Sequence, residues 1–448
     1  MDLILLSRLL LLRSTLRRHD HWDPSQLAAH QARALQRLRR ASYAGSKFYR
    51  NHHAGLMHAP LSDLSSVTKA DLMDNFDEVV TVPGLRRAGV EEHLRNSRST
   101  GADPGLPWRG LWAAATAGTT GRQGVFVWNR AEWATVLASY ARANEWAGVR
   151  AGLTHPLRVA FVSSRVPTHQ SAVVGASLRS RFISTLRLDA TSPIAETVAA
   201  LNSFQPRVLV GYASALYPLA AEQLAGRLNI APQSVMSASE VLSATAALNM
   251  TAAWGSPPFD VYAATETAGI ASPCSFRNSH LYEDLLIVEP VDEAGRAVPP
   301  GTTGARTLVT VLFSRTVPLI RYELSDRVAV SGRGCPCGRP YALVTAVEGR
   351  VEDVLFLPGI TGQVRVHPNV FHGALDEVSI RGWQVVQEPG GLRILLAGLA
   401  PSTTVEEVRA DVVAALTSAG VARVAVDVRV VDSVVRTALG KAPLIRAL

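Results

Sequence analysis

The rhythm of apolar and polar positions changes twice along the chain. After Met1 and Asp2 comes LILLSRLLLL, which is too short to span a bilayer, is broken by Arg8 and is followed by no small-residue cleavage site. It predicts the first turns of an amphipathic helix running towards Arg18. Ala28–Ala41 is rich in strong helix formers, and Thr68 with Asp71 is spaced as a helix cap. The first hundred residues therefore read as mainly helical.

From Leu111 short apolar runs alternate with helical stretches. Leu111–Ala115 and Val125–Trp128 are expected as strands. Asn129 and Glu132 have the form of a capping box that opens a helix through about Trp146. Arg158–Val162 and Arg207–Val210 read as buried strands, the second followed by a helix through about Leu224, and Phe259–Ala263 as another strand. This alternation predicts an α/β domain with much parallel sheet. Beyond Leu355, Trp383–Gln387 and Leu392–Leu396 flank the turn Glu388-Pro389-Gly390-Gly391 and predict a hairpin. Thr404 and Glu407 form a second box before a helix ending at Gly420, and Val424–Val431 is a further strand. The expected fold class is α/β: a large N-terminal α/β domain, 1–351, followed by a small C-terminal α+β domain, 352–448.

Composition narrows the functional classes. A chain of 448 residues exceeds what one core fills, and 47% apolar with 18% charged residues suits a folded protein rather than a disordered one. The net charge of +8 is built without any run of five or six basic residues, so neither nucleic acid nor a membrane is expected as a partner. Of the 45 basic residues only Lys47, Lys69 and Lys441 are lysine. Lys47 and Lys69 are expected on the surface, where replacement changes little. Three cysteines, all in the second half, form no disulfide framework and favour a reducing, cytoplasmic setting.

Five segments carry candidate chemistry. In Ala115–Gly124, glycines at every third position alternate with Thr116, Thr119 and Thr120, so backbone N–H groups and hydroxyls can face phosphate oxygens. It lacks the Gly-Lys-Ser/Thr of a Walker loop and the spacing of a dinucleotide loop, and alone it also reads as a plain turn. Tyr262-Ala263-Ala264-Thr265-Glu266 follows a strand, where a carboxylate can hold Mg2+ and an aromatic ring can stack on a purine. Pro318–Asp326 and Gly349–Asp353 offer an acid and an arginine suited to ribose hydroxyls, or to surface salt bridges. Arg436–Lys441 brings the third lysine, which can neutralise a carboxylate and a phosphate, or simply ends a frayed tail. Gly211-Tyr212-Ala213-Ser214-Ala215 puts its serine one residue too late for a hydrolase elbow.

In identity, order and spacing these segments resemble the superfamily of acyl-CoA synthetases and adenylation domains, most closely the phenylacetate–CoA ligase family. The matches are Thr116–Gly124, Tyr262–Glu266 with Ala263 for the usual Gly, Arg321–Asp326, Cys335–Arg339, Gly349–Asp353 and Arg436–Lys441, together with Phe48-Tyr49-Arg50 and Thr68–Leu72. The resemblance covers nearly the whole chain. It implies ATP phosphates held by Thr116, Gly118, Thr119, Thr120 and Gly121, adenine against Tyr262, ribose held by Asp326 and Arg350, and Thr265 as a further cofactor-binding residue. It further implies Mg2+ on Glu266, with Lys441, Glu266 and Thr120 as catalytic groups. The implied reaction is ATP-dependent adenylation of a small carboxylic acid, an aryl acid by analogy, with transfer to a thiol such as CoA. The turn Tyr212-Ala213-Ser214 corresponds to one that lines the family's acid pocket. Glu352 replaces the usual hinge residue, and Leu357–Gly362 departs from the family's thioester-site segment. An amine acceptor, adenylyl transfer or a non-catalytic homologue therefore stands as the alternative, and a homodimer is left open.

The three cysteines suggest one more site. Cys335-Pro336-Cys337-Gly338 is a compact knuckle, and Cys274 with His280 supplies a second pair, so the four side chains are expected to hold a structural Zn2+. The competing reading is a small buried Cys274 beside a metal-free Cys-x-Cys remnant.

Overall fold

The helix starts marked in the sequence are built from side chains that satisfy the first free N–H groups. In the computed structural model Asn129 Oδ1 accepts from the N–H groups of Ala131 (2.9 Å) and Glu132 (3.1 Å), while Glu132 Oε2 accepts from Asn129 N–H at 2.8 Å. The helix Arg130–Trp146 follows. Thr68 and Asp71 cap Lys69–Asp74 in the same reciprocal way, and Thr404 and Glu407 cap Val405–Ser418. A further box, Asp23 with Gln26, opens the helix Pro24–Gly45, which outruns the expected Ala28–Ala41 at both ends. Leu3–His19 is helical as expected. The structure describes every residue except 1–2, 101–102, 117–123, 150–156, 179–182, 191, 325, 333, 351–354, 360–361, 367, 376–377, 379, 381, 402, 423, 436–443 and 447–448, and leaves out the side chains of 348–350, 365, 368–369 and 372–373.

The chain forms two compact units: Met1–Val159, Arg165–Leu186 and Phe259–Val347 make the first, and Ala160–Ser164, Arg187–Pro258 and Glu348–Leu448 the second. In the first, Phe259–Ala264, Ala268–Pro273, Ser279–Leu281 and Leu343–Arg350 lie side by side in antiparallel order. Leu286–Val291, Arg306–Val311 and Tyr322–Leu324 form another antiparallel sheet, and Leu111–Ala115 pairs antiparallel with Val125–Asn129. The expected parallel arrangement holds in the second unit, where a helix links two strands: Val208–Gly211, helix Ala213–Leu224 and Ser234–Ala238. From Phe259 to Leu281 short turns replace helices, and a turn can only reverse the chain.

In the second unit the hairpin Gly382–Glu388/Gly391–Ala397 forms as expected, with Ala425–Val431 parallel to its second strand and Ile445–Arg446 parallel to its first. Helix Val405–Ser418 buries Val408, Val412 and Leu416 in a core with Phe371, Val385 and Ile394. The core of the first unit is aromatic: Trp112 stacks on Trp133 at 6.0 Å, Trp128 tilts against Trp133 at 5.5 Å, and the Trp133 N–H donates to Ser177 Oγ at 3.1 Å.

Glu132 does more than cap. Its buried carboxylate also accepts from the N–H groups of Arg315 and Thr316 and from Thr316 Oγ1, fastening the helix to the loop beyond Arg306–Val311. Glu132→Ala removes the box and leaves buried N–H groups without acceptors, so about 3 kcal/mol of stability should be lost. Urea unfolding checks this, and a change below the scatter of ordinary surface mutants would contradict it.

Candidate active site and metal centre

The site is built on a tight turn. Phe259–Ala264 and Ala268–Pro273 are joined by Thr265–Thr267, with a register shift between Tyr262 and Ala263 and Ala268 held at φ 62°. This turn buries Glu266 and leaves Tyr262 half-buried. The Tyr262 hydroxyl donates to Asp326 Oδ2 at 3.1 Å, so two of the expected nucleotide-binding residues are in direct contact.

Two groups converge on Glu266 Oε1: the Tyr322 hydroxyl at 3.3 Å and the Lys69 ammonium at 3.9 Å. Lys69 arrives there through backbone pairing. Val67 N–H donates to Arg321 O (3.0 Å) and Glu323 N–H to Val67 O (2.9 Å), which sets the helix Lys69–Asp74 beside Tyr322. Arg321 fixes the approach, donating to the carbonyls of Ser62 (2.8 Å) and Leu64 (2.6 Å). The expectation that Lys69 is an ordinary surface residue is therefore corrected; Lys47 does lie exposed, paired with Glu78.

The turn is tied to the base of the glycine–threonine loop. Thr116 and Gly124 close the loop's neck: Thr116 N–H donates to Gly124 O at 2.8 Å and Gly124 N–H to Thr116 Oγ1 at 2.9 Å. Ala115 N–H donates to Thr168 O at 2.7 Å. Two residues on, Gln170 Nε2 donates to Thr265 O at 3.0 Å while its Oε1 accepts from Tyr140 at 2.8 Å. Gly118, Thr119, Thr120, Gly121, Glu352 and Lys441 lie outside the described residues, as does the side chain of Arg350. The structure thus gathers Thr116, Tyr262, Thr265, Glu266 and Asp326 in the first unit and adds Lys69, Gln170 and Tyr322. The rarity of lysine and the Thr68–Leu72 resemblance both touched Lys69, but neither gave it a place in the site.

The four expected metal ligands also come together. Their ligand atoms all lie within 4.8 Å of one another, with Cys274 Sγ 3.6 Å from Cys335 Sγ and Cys337 Sγ 3.2 Å from His280 Nε2. Tetrahedral zinc with Zn–S bonds of about 2.3 Å requires ligand–ligand edges of roughly 3.5–3.8 Å, so three thiolates and one imidazole fit a closed structural site. His280 Nδ1 lies 3.2 Å from Tyr341 O, which fixes the tautomer and leaves Nε2 to face the sulfurs. Burial keeps the imidazole below its usual pKa, hence neutral, and pushes the Cys274 thiol up to about 11.

No family model matches the chain. A curated phenylacetate-coenzyme A ligase of Thermus thermophilus is 30% identical over 95 residues, 20% of this chain and 21% of that protein. The match therefore spans about a fifth of the curated relative's length. Among solved structures, 2-hydroxyisobutyryl-CoA ligase in the postadenylation state with 2-HIB-AMP superposes with a TM-score of 0.69, covering 96% of this chain and 91% of that one at 19% identity. The fold is that of the adenylate-forming CoA ligases. An open conformation of the same ligase, with 2-HIB-AMP and CoA, gives 0.62 at 19% identity over 96% and 93% of the chains. The anthranilate CoA ligase AuaEII with anthranoyl-AMP gives 0.52 at 16% identity over 74% of this chain and 64% of that one. Among the described residues no helix is long and apolar enough to cross a membrane.

Proposed function

We propose that this protein is an acid–thiol ligase that activates a small carboxylic acid with ATP and passes the acyl group to a thiol such as CoA. The observation that carries the reading is the buried Glu266, with Tyr322 and Lys69 on one carboxylate oxygen, set on a turn that Gln170 holds beside Thr168 and so beside Ala115 at the base of the glycine–threonine loop. In the first step a substrate carboxylate oxygen bonds to the α-phosphorus, the bond to the bridging oxygen breaks, and pyrophosphate leaves. In the second the thiol sulfur bonds to the carbonyl carbon, AMP leaves and the thiol proton is released.

Thr116, Gly118, Thr119, Thr120 and Gly121 hold the phosphates, Tyr262 the adenine, and Asp326 with Arg350 the ribose, with Thr265 as a further cofactor-binding residue. Glu266 would hold Mg2+, which supplies positive charge to screen two reacting anions. Lys69 adds a second cation there. The segment 352–448 acts as a mobile module that carries Lys441 to the reaction. Incubation with ATP, CoA and a panel of acids, followed by mass analysis, tests the reading. Acyl-CoA with AMP and pyrophosphate supports it; acyl amide, or no acid consumed, overturns it.

Lys441→Ala should lower adenylation about a hundredfold without unfolding the protein, because an ammonium at the transferring phosphate acts mainly in the transition state. Pyrophosphate exchange at the parent rate would remove Lys441 from the mechanism. Lys47→Ala is the matched control.

Cys274, His280, Cys335 and Cys337 are assigned to a structural Zn2+ that clips two loops of the first unit. Protein purified without added zinc should carry about one ion per chain, and its removal by chelator should lower the unfolding midpoint before it lowers any rate. Less than a tenth of an ion, with all three thiols freely reactive, would refute the assignment.

A further inference from the structure

The helix Leu3–His19 is apolar on two opposite faces. One face buries Leu5, Leu9 and Leu16 against the core of the first unit. The other leaves Leu3 83%, Ile4 55%, Leu10 52% and Leu11 69% exposed. At about 100° per residue, Leu3 stands over Leu10 and Ile4 over Leu11, with Ser7, Ser14 and Arg18 between the two rows and Arg8 and Arg17 at the borders. A packed helix needs only one apolar face, so two further rows of large apolar side chains left outward are a candidate contact surface.

The charge around it is equally one-sided. Leu3–His19 contains no acidic residue, and the first fifty residues hold ten basic and three acidic side chains, so this short stretch carries +7 of the chain's +8. Arg13 and Arg17 share Glu145, whereas Arg8, Arg33, Arg37 and Arg40 are exposed and have no carboxylate partner among the described residues. We propose that this helix docks the protein peripherally on an anionic lipid surface. Leu3, Ile4, Leu10 and Leu11 enter the acyl boundary, and Arg8 and Arg18 meet the lipid phosphates. Rows of leucine and isoleucine with arginine beside and between them suit a headgroup interface, where long basic side chains reach out to phosphate. A second copy is disfavoured as occupant, because two strongly basic segments would be brought face to face. Peripheral docking departs from the expectation, drawn from the absence of long basic runs, that a membrane is not a partner.

Sedimentation of the full chain with vesicles of phosphatidylcholine, with and without phosphatidylserine, tests the proposal. Binding should require the anionic lipid and weaken with salt, and Arg8→Gln should reduce it about fivefold. Leu10→Ser with Leu11→Ser should reduce it by more than about tenfold, whereas Leu106→Ser with Leu248→Ser, equally exposed elsewhere, should not. Adenylation in vesicle-free solution should be unchanged in all of these, which separates this inference from the proposed reaction. Binding that ignores lipid charge, no binding to either vesicle, or a Leu10/Leu11 variant that instead dissociates a dimer or releases an acidic protein would overturn it.

Discussion

Glu266→Gln should lower the rate of acid-dependent pyrophosphate formation by about a hundredfold while leaving thermal unfolding unchanged. The amide keeps the shape of the side chain and can still accept from the Tyr322 hydroxyl, but it removes the charge that opposes Lys69 and that, in the proposed reaction, would hold a hard cation. The defect should be partly relieved by raising Mg2+, since a weakened cation site is refilled by mass action. Tyr322→Phe deletes one hydrogen bond to the same oxygen and should cost much less. Turnover at the parent rate in Glu266→Gln, insensitive to Mg2+, would reduce Glu266 to a loop residue with no part in the chemistry.

Asp284→Ala should be the most destabilising substitution in the first unit, by roughly 3–5 kcal/mol, because it strands a buried guanidinium. Arg142 grips Asp284 through two bonds of 2.7 and 2.6 Å and is enclosed by the rings of Tyr282, Trp146 and Tyr341. His19 Nδ1 lies 2.7 Å from the same carboxylate, and His30 Nε2 lies 2.9 Å from Asp284 O, so the first two helices hang on this residue. Limited proteolysis should therefore cut the N-terminal segment first in the variant. Replacing both charges, as Arg142→Met with Asp284→Leu, should recover much of the loss. Although burial alone would raise its pKa, the Arg142 charge and hydrogen bonds hold the Asp284 carboxyl well below the usual carboxylate range. Its contribution is then fully present above the unfolded carboxylate pKa of about 4 and disappears only as pH falls through the depressed folded value. An unfolding midpoint within ordinary surface-mutant scatter, or acid stability equal to the parent's, would contradict this account.

What the sequence revealed depended on how local each signal is. Helix caps are local, and Asn129/Glu132, Thr68/Asp71 and Thr404/Glu407 were readable three residues at a time. Asp23/Gln26 had the same form but preceded a segment recognised only from Ala28. Sheet direction was less legible, since the short strands from Phe259 to Leu281 find partners across turns that apolar runs do not specify. The Arg142–Asp284 pair spans 142 positions, and nothing at either residue announces burial. In the site, Tyr262, Glu266 and Asp326 stood out because they sit in recognisable segments. Lys69 also sits in a recognised segment, Thr68–Leu72, but its place beside Glu266 was not legible there, because a backbone bridge between Val67 and Tyr322 brings it in from far along the chain.

The central claim is that this fold makes an acyl-adenylate. Isotope exchange between labelled pyrophosphate and ATP, run with Mg2+ and each acid of a panel, reads that step before any acceptor is involved. Exchange that appears only with a matching acid and falls about a hundredfold in Glu266→Gln is the predicted result. No acid-dependent exchange across the panel, by folded protein that binds ATP, would contradict it.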